Sequence, residues 1–321
     1  MDGFYYDLEG FGKELKNIRK SLRLTQNEVA EQAFINIDTL RKIENGKVMP
    51  KQETLDLLSH FYKKDLNEVL LKYRVKDYST FCKIKNSIEN KLESGDFEGL
   101  KEDMEKLKTL EEEKMSPYYA KFLRQLLLLS ESIYEKAVNK DPHTSLIKLE
   151  KAMKVTIPDF SVYNYANFVY SDLEVRILMN IALIFVFEKT EKRQQGLEML
   201  LFCLEALSEE EWEIKIKVYY NISYTYHLLS IYEKSLYYAN LGIETCVKNN
   251  TLSGLGLLLF RKAIAELNLG REEYKDSLIK SINIFEITGQ DKLKKITIES
   301  CKKLYNLEIT KENGMIVIRN L

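Results

Sequence analysis

Only 4 prolines and 13 glycines interrupt a chain of 321 residues, and this scarcity limits the possible folds more than any other feature. Proline breaks a helix interior and glycine weakens it, so a chain poor in both is free to run from helix to helix. Apolar residues recur at helical spacing over most of its length. Hydrophobic residues make up 45% and charged residues 30%, enough apolar material for a core beneath a well-solvated surface. The expected class is all-α. At a prior of ~150 residues per domain, the chain holds two or more domains.

The formal net charge is −1, so no global field draws the chain to nucleic acid or membranes. Any DNA contact has to come from a local arrangement of positive side chains. Cys82, Cys203, Cys246 and Cys301 lie far apart without a C-x-x-C pair, and His60, His143 and His227 are scattered. That spacing speaks against a structural zinc site and for reduced, mostly buried thiols. No phosphate-binding glycine loop, metal cluster or Ser/His/Asp constellation is legible, so neither a cofactor nor an enzymatic activity is expected. The N-terminal MDGFYYDLEG carries acids and aromatics where a signal peptide has a basic segment and then an apolar one. No apolar run approaches the ~20 residues that span a bilayer. A cytoplasmic protein without membrane contact is expected.

Between Glu9 and Tyr73 the apolar residues come in short helical bursts: Phe11, Leu15, Ile18 and Leu22; Val29 and Ala30; Leu40 and Ile43; Leu55, Leu58 and Phe61. Thr25 precedes Gln26-Asn27-Glu28, an S/T-x-x-E capping box. Asn36 reads as the N-cap of a segment from Ile37 to Glu44 that Asn45-Gly46 stops. Pro50 follows, and Glu53 opens another helix. Short helices with turns this tight describe a compact DNA-binding bundle.

The stretch FGKELKNIRKSLRLTQNEVAEQAFINIDTLRKIENGKVMPKQETL resembles the phage-repressor (Cro/cI, or XRE) helix-turn-helix family over nearly its whole length. The marks are Ile18-Arg19, Leu24-Thr25-Gln26, Glu28-Val29-Ala30, Ile35, Thr39-Leu40 and Ile43-Glu44-Asn45-Gly46-Lys47. Ala30 is small where two helices cross, while Ile35, Leu40 and Ile43 pack the recognition helix on its scaffold. Its outward face is then Ile37, Asp38, Arg41 and Lys42, open to base edges and phosphates in a major groove. Gln26, at a helix N-terminus, is placed to hold a phosphate. With Asn36, Thr39 and Lys47, these are the candidate DNA-contacting residues. Lys13, Lys16, Arg19, Lys20, Arg23, Lys47 and Lys51 are expected to supply the local positive charge. Two residues depart from the pattern. Phe34 stands where the family usually has glycine with positive φ, which either costs ~1–2 kcal/mol or forces a different turn. Asp38 either accepts a hydrogen bond from cytosine N4 or pairs with Arg41 or Lys42.

From Asp77 to about Leu307 the sequence repeats. The clearest unit, Lys217 to Lys248, resembles a tetratricopeptide repeat: Tyr219, Ile222 and Tyr226 are core positions, Tyr232 packs at the turn, and Ser235, Ala239 and Gly242 are small where helices touch. Weaker units span Val175 to Leu207 and Leu255 to Ile287. Looser ones span Phe81 to Glu113, with a turn at Ser94-Gly95-Asp96-Phe97, and Tyr118 to Val155. Asn180, Asn221 and Arg261 correspond at intervals of about 40 residues, longer than the ~34 of the ideal unit. Stacked helical hairpins form a solenoid with a concave inner surface. The fold expected is therefore an N-terminal helix-turn-helix bundle and a right-handed α-solenoid. Residues 1–75 are assigned to the first and 76–306 to the second, for ligand binding and dimerisation. A tail of residues 307–321 follows, where Asn313-Gly314 between Leu307–Thr310 and Met315–Ile318 reads as a β-hairpin with a type I′ turn. A lone hairpin is marginal, so it docks on the solenoid or a second subunit, or is disordered.

A repressor-type head on five or six degenerate repeats resembles the Rap/Rgg/NprR/PlcR/PrgX (RRNPP) group of peptide-pheromone receptors. The resemblance implies a quorum-sensing transcription regulator whose concave face binds a short re-imported peptide, changing a homodimer and its hold on a palindromic double-stranded operator. The first helices carry matching i, i+4 pairs, Arg176 with Asn180 and Lys217 with Asn221. An asparagine suits the backbone of an extended peptide, and a cation suits its carboxylate. Tyr220, Tyr224 and His227 continue the face, and Arg261 takes the corresponding place one repeat later. Alternatively, the asparagines bridge adjacent helices and the cations are solvated. The competing function is a regulator controlled by a protein bound to the repeats.

Overall fold

Helices begin where the sequence supplies caps. Asp7, Thr25, Asn36 and Asp65 each accept backbone N–H bonds at the starts of α1 (Leu8–Ser21), α2 (Gln26–Gln32), α3 (Ile37–Glu44) and α5 (Leu66–Leu71). The fourth helix, α4 (Gln52–Tyr62), follows Pro50. The computed structural model describes residues 6–73, 78–111, 117–188, 190–312 and 315–321. By contact they form two units, one of residues 1–87 and 105–123, the other of 88–104 and 124–321. The expected boundary at residue 75 lies outside the described residues.

In the first unit, Phe11, Leu15, Val29, Leu40, Ile43, Leu55, Leu58, Leu66 and Val69 form one buried cluster, with Ile18, Ile35 and Phe61 packed at its edge. Leu22, read as the last member of the first stripe, is 46% exposed. It caps α1 rather than extending it, so the helical period no longer turns it inward.

The second unit is a succession of helical hairpins. Parts of α6 (Tyr78–Ser94), α7 (Leu100–Glu111) and α8 (Pro117–Tyr134) belong to it and the rest of each to the first unit, and α9 (Pro142–Lys154) and the pair α10 (Asp172–Glu188) with α11 (Arg193–Glu205) follow. Then follow α12 (Trp212–Leu228) with α13 (Tyr232–Lys248), α14 (Leu255–Asn268) with α15 (Tyr274–Ile287), and α16 (Asp291–Tyr305). Small residues mark the close approaches. A Cβ on Gly242 would stand 2.5 Å from Leu258 Cδ2, and Ala239 and Ser235 are buried. Ser223 Oγ donates to the Ser235 carbonyl across the hairpin at 2.8 Å, and Ser281 Oγ to the Gly256 carbonyl at 2.7 Å.

The chain closes in β1 (Leu307–Glu312) antiparallel to β2 (Met315–Asn320), with Leu307 opposite Asn320 and Glu312 opposite Met315. Leu307 is buried, and Ile309, Ile316 and Ile318 pack on Phe260, Ile264, Leu278 and Cys301. The hairpin is therefore docked on the helical stack, and its strands run two residues beyond the Leu307–Thr310 and Met315–Ile318 segments. Its turn, Asn313-Gly314, lies outside the described residues.

Gly12 sets how closely α1 meets α3. A Cβ there would stand 2.6 Å from the carbonyl oxygens of Ile43 and Glu44, which are backbone atoms that cannot swing aside. Gly12→Ala should destabilise the protein by about 1–3 kcal/mol, read as a lower denaturation midpoint at unchanged slope.

Candidate functional site

The helix-turn-helix is locked from beneath by an arginine. Arg19 of α1 is buried and holds Glu44 of α3 in a two-pronged pair, Nε to Oε1 at 2.6 Å and Nη2 to Oε2 at 2.9 Å. Its third nitrogen, Nη1, donates to the Leu24 carbonyl at 2.9 Å, and Gln26 Nε2 donates to Glu44 Oε2 at 2.7 Å. Arg19 is thus removed from the set of surface cations to which the sequence assigned it. The residues were noted as family marks, but nothing in a single sequence says that positions 25 apart pair. Lys13, Lys16, Lys20, Arg23, Lys47 and Lys51 are not buried in this way. Gln26, half-buried, has one amide hydrogen committed to Glu44 and one left over.

The capping box is complete: Glu28 N–H donates to Thr25 Oγ1 at 3.2 Å, and Thr25 N–H to Glu28 Oε2 at 2.7 Å. The turn keeps the left-handed conformation despite Phe34, whose φ is +54 and whose ring is 89% exposed. Of the two alternatives, the strained residue in an unchanged turn is the one observed. Asn36 caps α3 by accepting from the N–H groups of Asp38 and Thr39 at 2.8 and 3.3 Å. Its side chain is thereby occupied by the helix. Asp38 accepts from Arg41 at 3.1 Å, both exposed. Lys42 and Lys47 are also exposed, and Ile37 and Thr39 are half-buried.

In the second unit the candidate ligand residues divide into two groups. Arg176 of α10 and Lys217 of α12 both bind Glu89 of α6. Arg176 pairs with Oε1, and Lys217 Nζ lies 3.3 Å from Oε2. Burial pushes the Glu89 carboxyl up, but the two cations outweigh it and hold the pKa below the ordinary carboxylate value. These three residues, with Asn180, Met179 and Trp212, line a cavity of about 1200 Å³, larger than the ~300–1,000 Å³ of ordinary small-ligand pockets. Sequence reasoning missed Glu89 because its partners lie two and three helical hairpins further along the chain.

The second group lies around Arg261. Tyr220, Asn221, Tyr224 and His227 of α12 are half-buried, and Tyr224 runs on to Tyr220 and His227 at ring distances of 6.4 and 6.3 Å. Asn180 and Asn221 each donate Nδ2 to the carbonyl four residues back, of Arg176 and Lys217, both at 2.9 Å. Asn221 also reaches Met179 Sδ at 3.4 Å. Its bridge to the adjacent helix is therefore real but weak, and among the described residues no donor meets the side-chain carbonyl of either asparagine. His227 Nε2 lies 3.1 Å from the Tyr305 hydroxyl, while its Nδ1 is buried without a partner. Burial, helped by the nearby Arg261 charge, pushes the His227 imidazole down to about 4.

The family description "Helix-turn-helix" matches residues 15–69, and "RNPP family C-terminal domain" matches residues 85–307. The chain belongs to the RNPP family. It is a helix-turn-helix transcription regulator of that family. In sequence, 60 residues are 33% identical to the HTH-type transcriptional activator BcrR of Enterococcus faecalis. The alignment spans 19% of this chain and 29% of the length of BcrR. In structure, the RNPP chain is similar to Bacillus thuringiensis PlcR in complex with the peptide PapR7 and DNA, with TM-score 0.71 at 22% identity over 90% of this chain and 99% of that one. It is also similar to the Streptococcus dysgalactiae SHP pheromone receptor Rgg2, with TM-score 0.55 at 13% identity over 91% and 99%. A third likeness is ComR from S. thermophilus, in complex with DNA and its signalling peptide ComS, with TM-score 0.54 at 12% identity over 89% and 97%. Among the described residues, no helix is long and apolar enough to cross a membrane.

A histidine kept neutral by the fold titrates at about 4, whereas the unfolded chain takes up its proton near about 6.5. Between those values the unfolded state binds more protons, so stability falls as pH falls through that window. Denaturant titrations from pH 7 to 4.5 should show this loss in wild type and a flatter slope in His227→Gln.

Proposed function

We propose that this RNPP chain is a sequence-specific, cytoplasmic transcription regulator, without enzymatic activity, whose helical-repeat unit binds a short signalling peptide that controls its hold on DNA. The observation that supports the reading is the succession of Asn180, Asn221 and Arg261 on the first helices α10, α12 and α14, with Asn221 reaching Met179 of α10 and Arg261 lying against Tyr220 and Tyr224 of α12. Two half-buried amide carbonyls free to accept, followed by a cation, suit an extended backbone with a carboxylate. A ladder of amides holds such a backbone whatever its side chains, and the clefts beside Tyr220 and Tyr224 then discriminate among them. PlcR and ComR, of like fold, were each crystallised with both a peptide and DNA, and the proposal extends both ligands to this chain.

For DNA, the exposed face of α3 with Arg41 and Lys42 is assigned to the major groove. Gln26, Asn36, Ile37, Asp38, Thr39 and Lys47 border it. A single helix of this kind reads too few bases for high specificity, so the regulator acts as a homodimer on a palindromic operator. Replacing both residues, Arg41→Ala with Lys42→Ala, should cost ~1–3 kcal/mol for each base that they read. Fluorescence anisotropy on an operator selected from random duplexes measures it, and unchanged binding would remove α3 as the reading helix.

For the peptide, of about five to ten residues laid extended along the row, each hydrogen bond removed from a buried partner costs ~1–3 kcal/mol. Asn221→Ala should therefore weaken binding at least several-fold while leaving peptide-free DNA binding intact. Calorimetric titration of a peptide recovered from the host medium decides this. A chain that binds no exported peptide but retains a host protein on the same face would be a regulator controlled by a protein partner.

A further inference from the structure

Arg261 is a buried cation without a counter-charge. It is 5% exposed, and its Nε and Nη1 atoms are sealed from solvent with no hydrogen-bond partner. The guanidinium carbon lies 4.4 Å from the centroid of Tyr224, 4.5 Å from Phe260 and 5.9 Å from Tyr220. From α16, Tyr305 and Cys301 feel its charge, as does His227 from α12. None of these groups is an anion at neutral pH, and among the described residues no carboxylate pairs with Arg261.

Aromatic faces attract a guanidinium, but they do not satisfy its N–H donors, which keep a preferred acceptor in the guanidinium plane. A buried charge left in this condition is costly, and folded proteins rarely leave one so. The neighbouring cations Arg176 and Lys217 differ in that each is held by Glu89, although one carboxylate balances only one of the two charges. Of the three, Arg261 is the one with buried donors that no acid meets.

We propose that Arg261 is the anion anchor of the ligand groove and takes a single carboxylate, while Arg176 and Lys217 stay with Glu89. The proposal rests on the peptide reading above and narrows it. One guanidinium without a second cation beside it balances a monoanion, and its planar fork matches a carboxylate. A phosphate dianion would bring a second charge with nothing to meet it. The carboxylate comes either from the C-terminus of the peptide or from an aspartate or glutamate side chain.

Three libraries of randomised short peptides distinguish the sources. The first has free C-termini and lacks Asp and Glu, the second has amidated C-termini and includes them, and the third is amidated and lacks them. Each is incubated with the full chain and read by native mass spectrometry. Wild type should retain members of the first or the second library, whichever holds the true source, and none of the third. Arg261→Met should retain at least tenfold fewer, with Arg261→Lys in between because it keeps the charge and loses the fork. Retention from the third library equal to the others, or equal retention by wild type and Arg261→Met, would overturn the assignment and leave the peptide reading standing. If wild type retains nothing from any library, the peptide reading falls and takes this inference with it. A second readout needs no ligand. Removing an unsatisfied buried charge should leave the Tm of Arg261→Met at or above that of wild type, and a lower Tm would mean that the guanidinium belongs to the core rather than to a ligand.

Discussion

The second unit depends on how closely one helix can approach the next. Gly242 against Leu258, Gly196 against Val186 and Gly256 against Phe285 leave less room than a methyl group needs. Interiors are packed at crystal-like density, so such contacts fix spacing as firmly as a bond would. One such glycine stands in each of the last three hairpins, on α11, α13 and α14, and each holds two neighbouring helices close. The first helices α10, α12 and α14 then follow one another along the stack. The proposed ligand groove would need no separate scaffold. It would follow the succession of first helices, with its chemistry set by the residue types at positions 180, 221 and 261.

Two buried arginines make opposite statements about completeness. Arg19 meets Glu44 with both prongs, and Gln26 fills a remaining site on the carboxylate. Removing one member of such a pair strands the other, at ~3–5 kcal/mol, so the angle between α1 and α3 is set by charge as well as by packing. Arg261 has the same burial and only ring faces for company. A cation–π contact supplies about 0.5–2 kcal/mol, less than the desolvation of the charge. The head is finished as it stands, whereas Arg261 is left with buried donors unmet, a deficit that the proposed ligand would relieve.

Most of the architecture was legible because it rests on local rules. Capping residues at Thr25 and Asn36, the stop at Asn45-Gly46, and the small residues Ser235, Ala239 and Gly242 act within a turn or a hairpin, and each appears where those rules put it. The conformation at Phe34 was left open between a strained residue and a different turn, and only the structure, with φ +54, decides it. Long-range electrostatics was not. Whether Arg19, Arg176, Lys217 or Arg261 is free or paired depends on residues 25 to well over 100 positions away. Periodicity carries no information about that choice: it named four cations as equivalent candidates for ligand or surface roles, and packing made them three different things.

That sorting of charge gives the row a direction. At α10 and α12, one carboxylate from α6 is shared between two cations, so each of those side chains is held by an acid although one of the two charges is left unbalanced. At α14 the field of Arg261 is strong enough to help hold the His227 imidazole down to about 4. Low-dielectric walls make that difference larger than it would be in water. Under the proposed reading, an extended ligand with one negative group would place its anion at α14, with its backbone running back over Asn221 toward Asn180. Two asparagines that offer the same acceptor would be indifferent to chain direction. Polarity of binding would then come from the one buried guanidinium whose donors no acid meets.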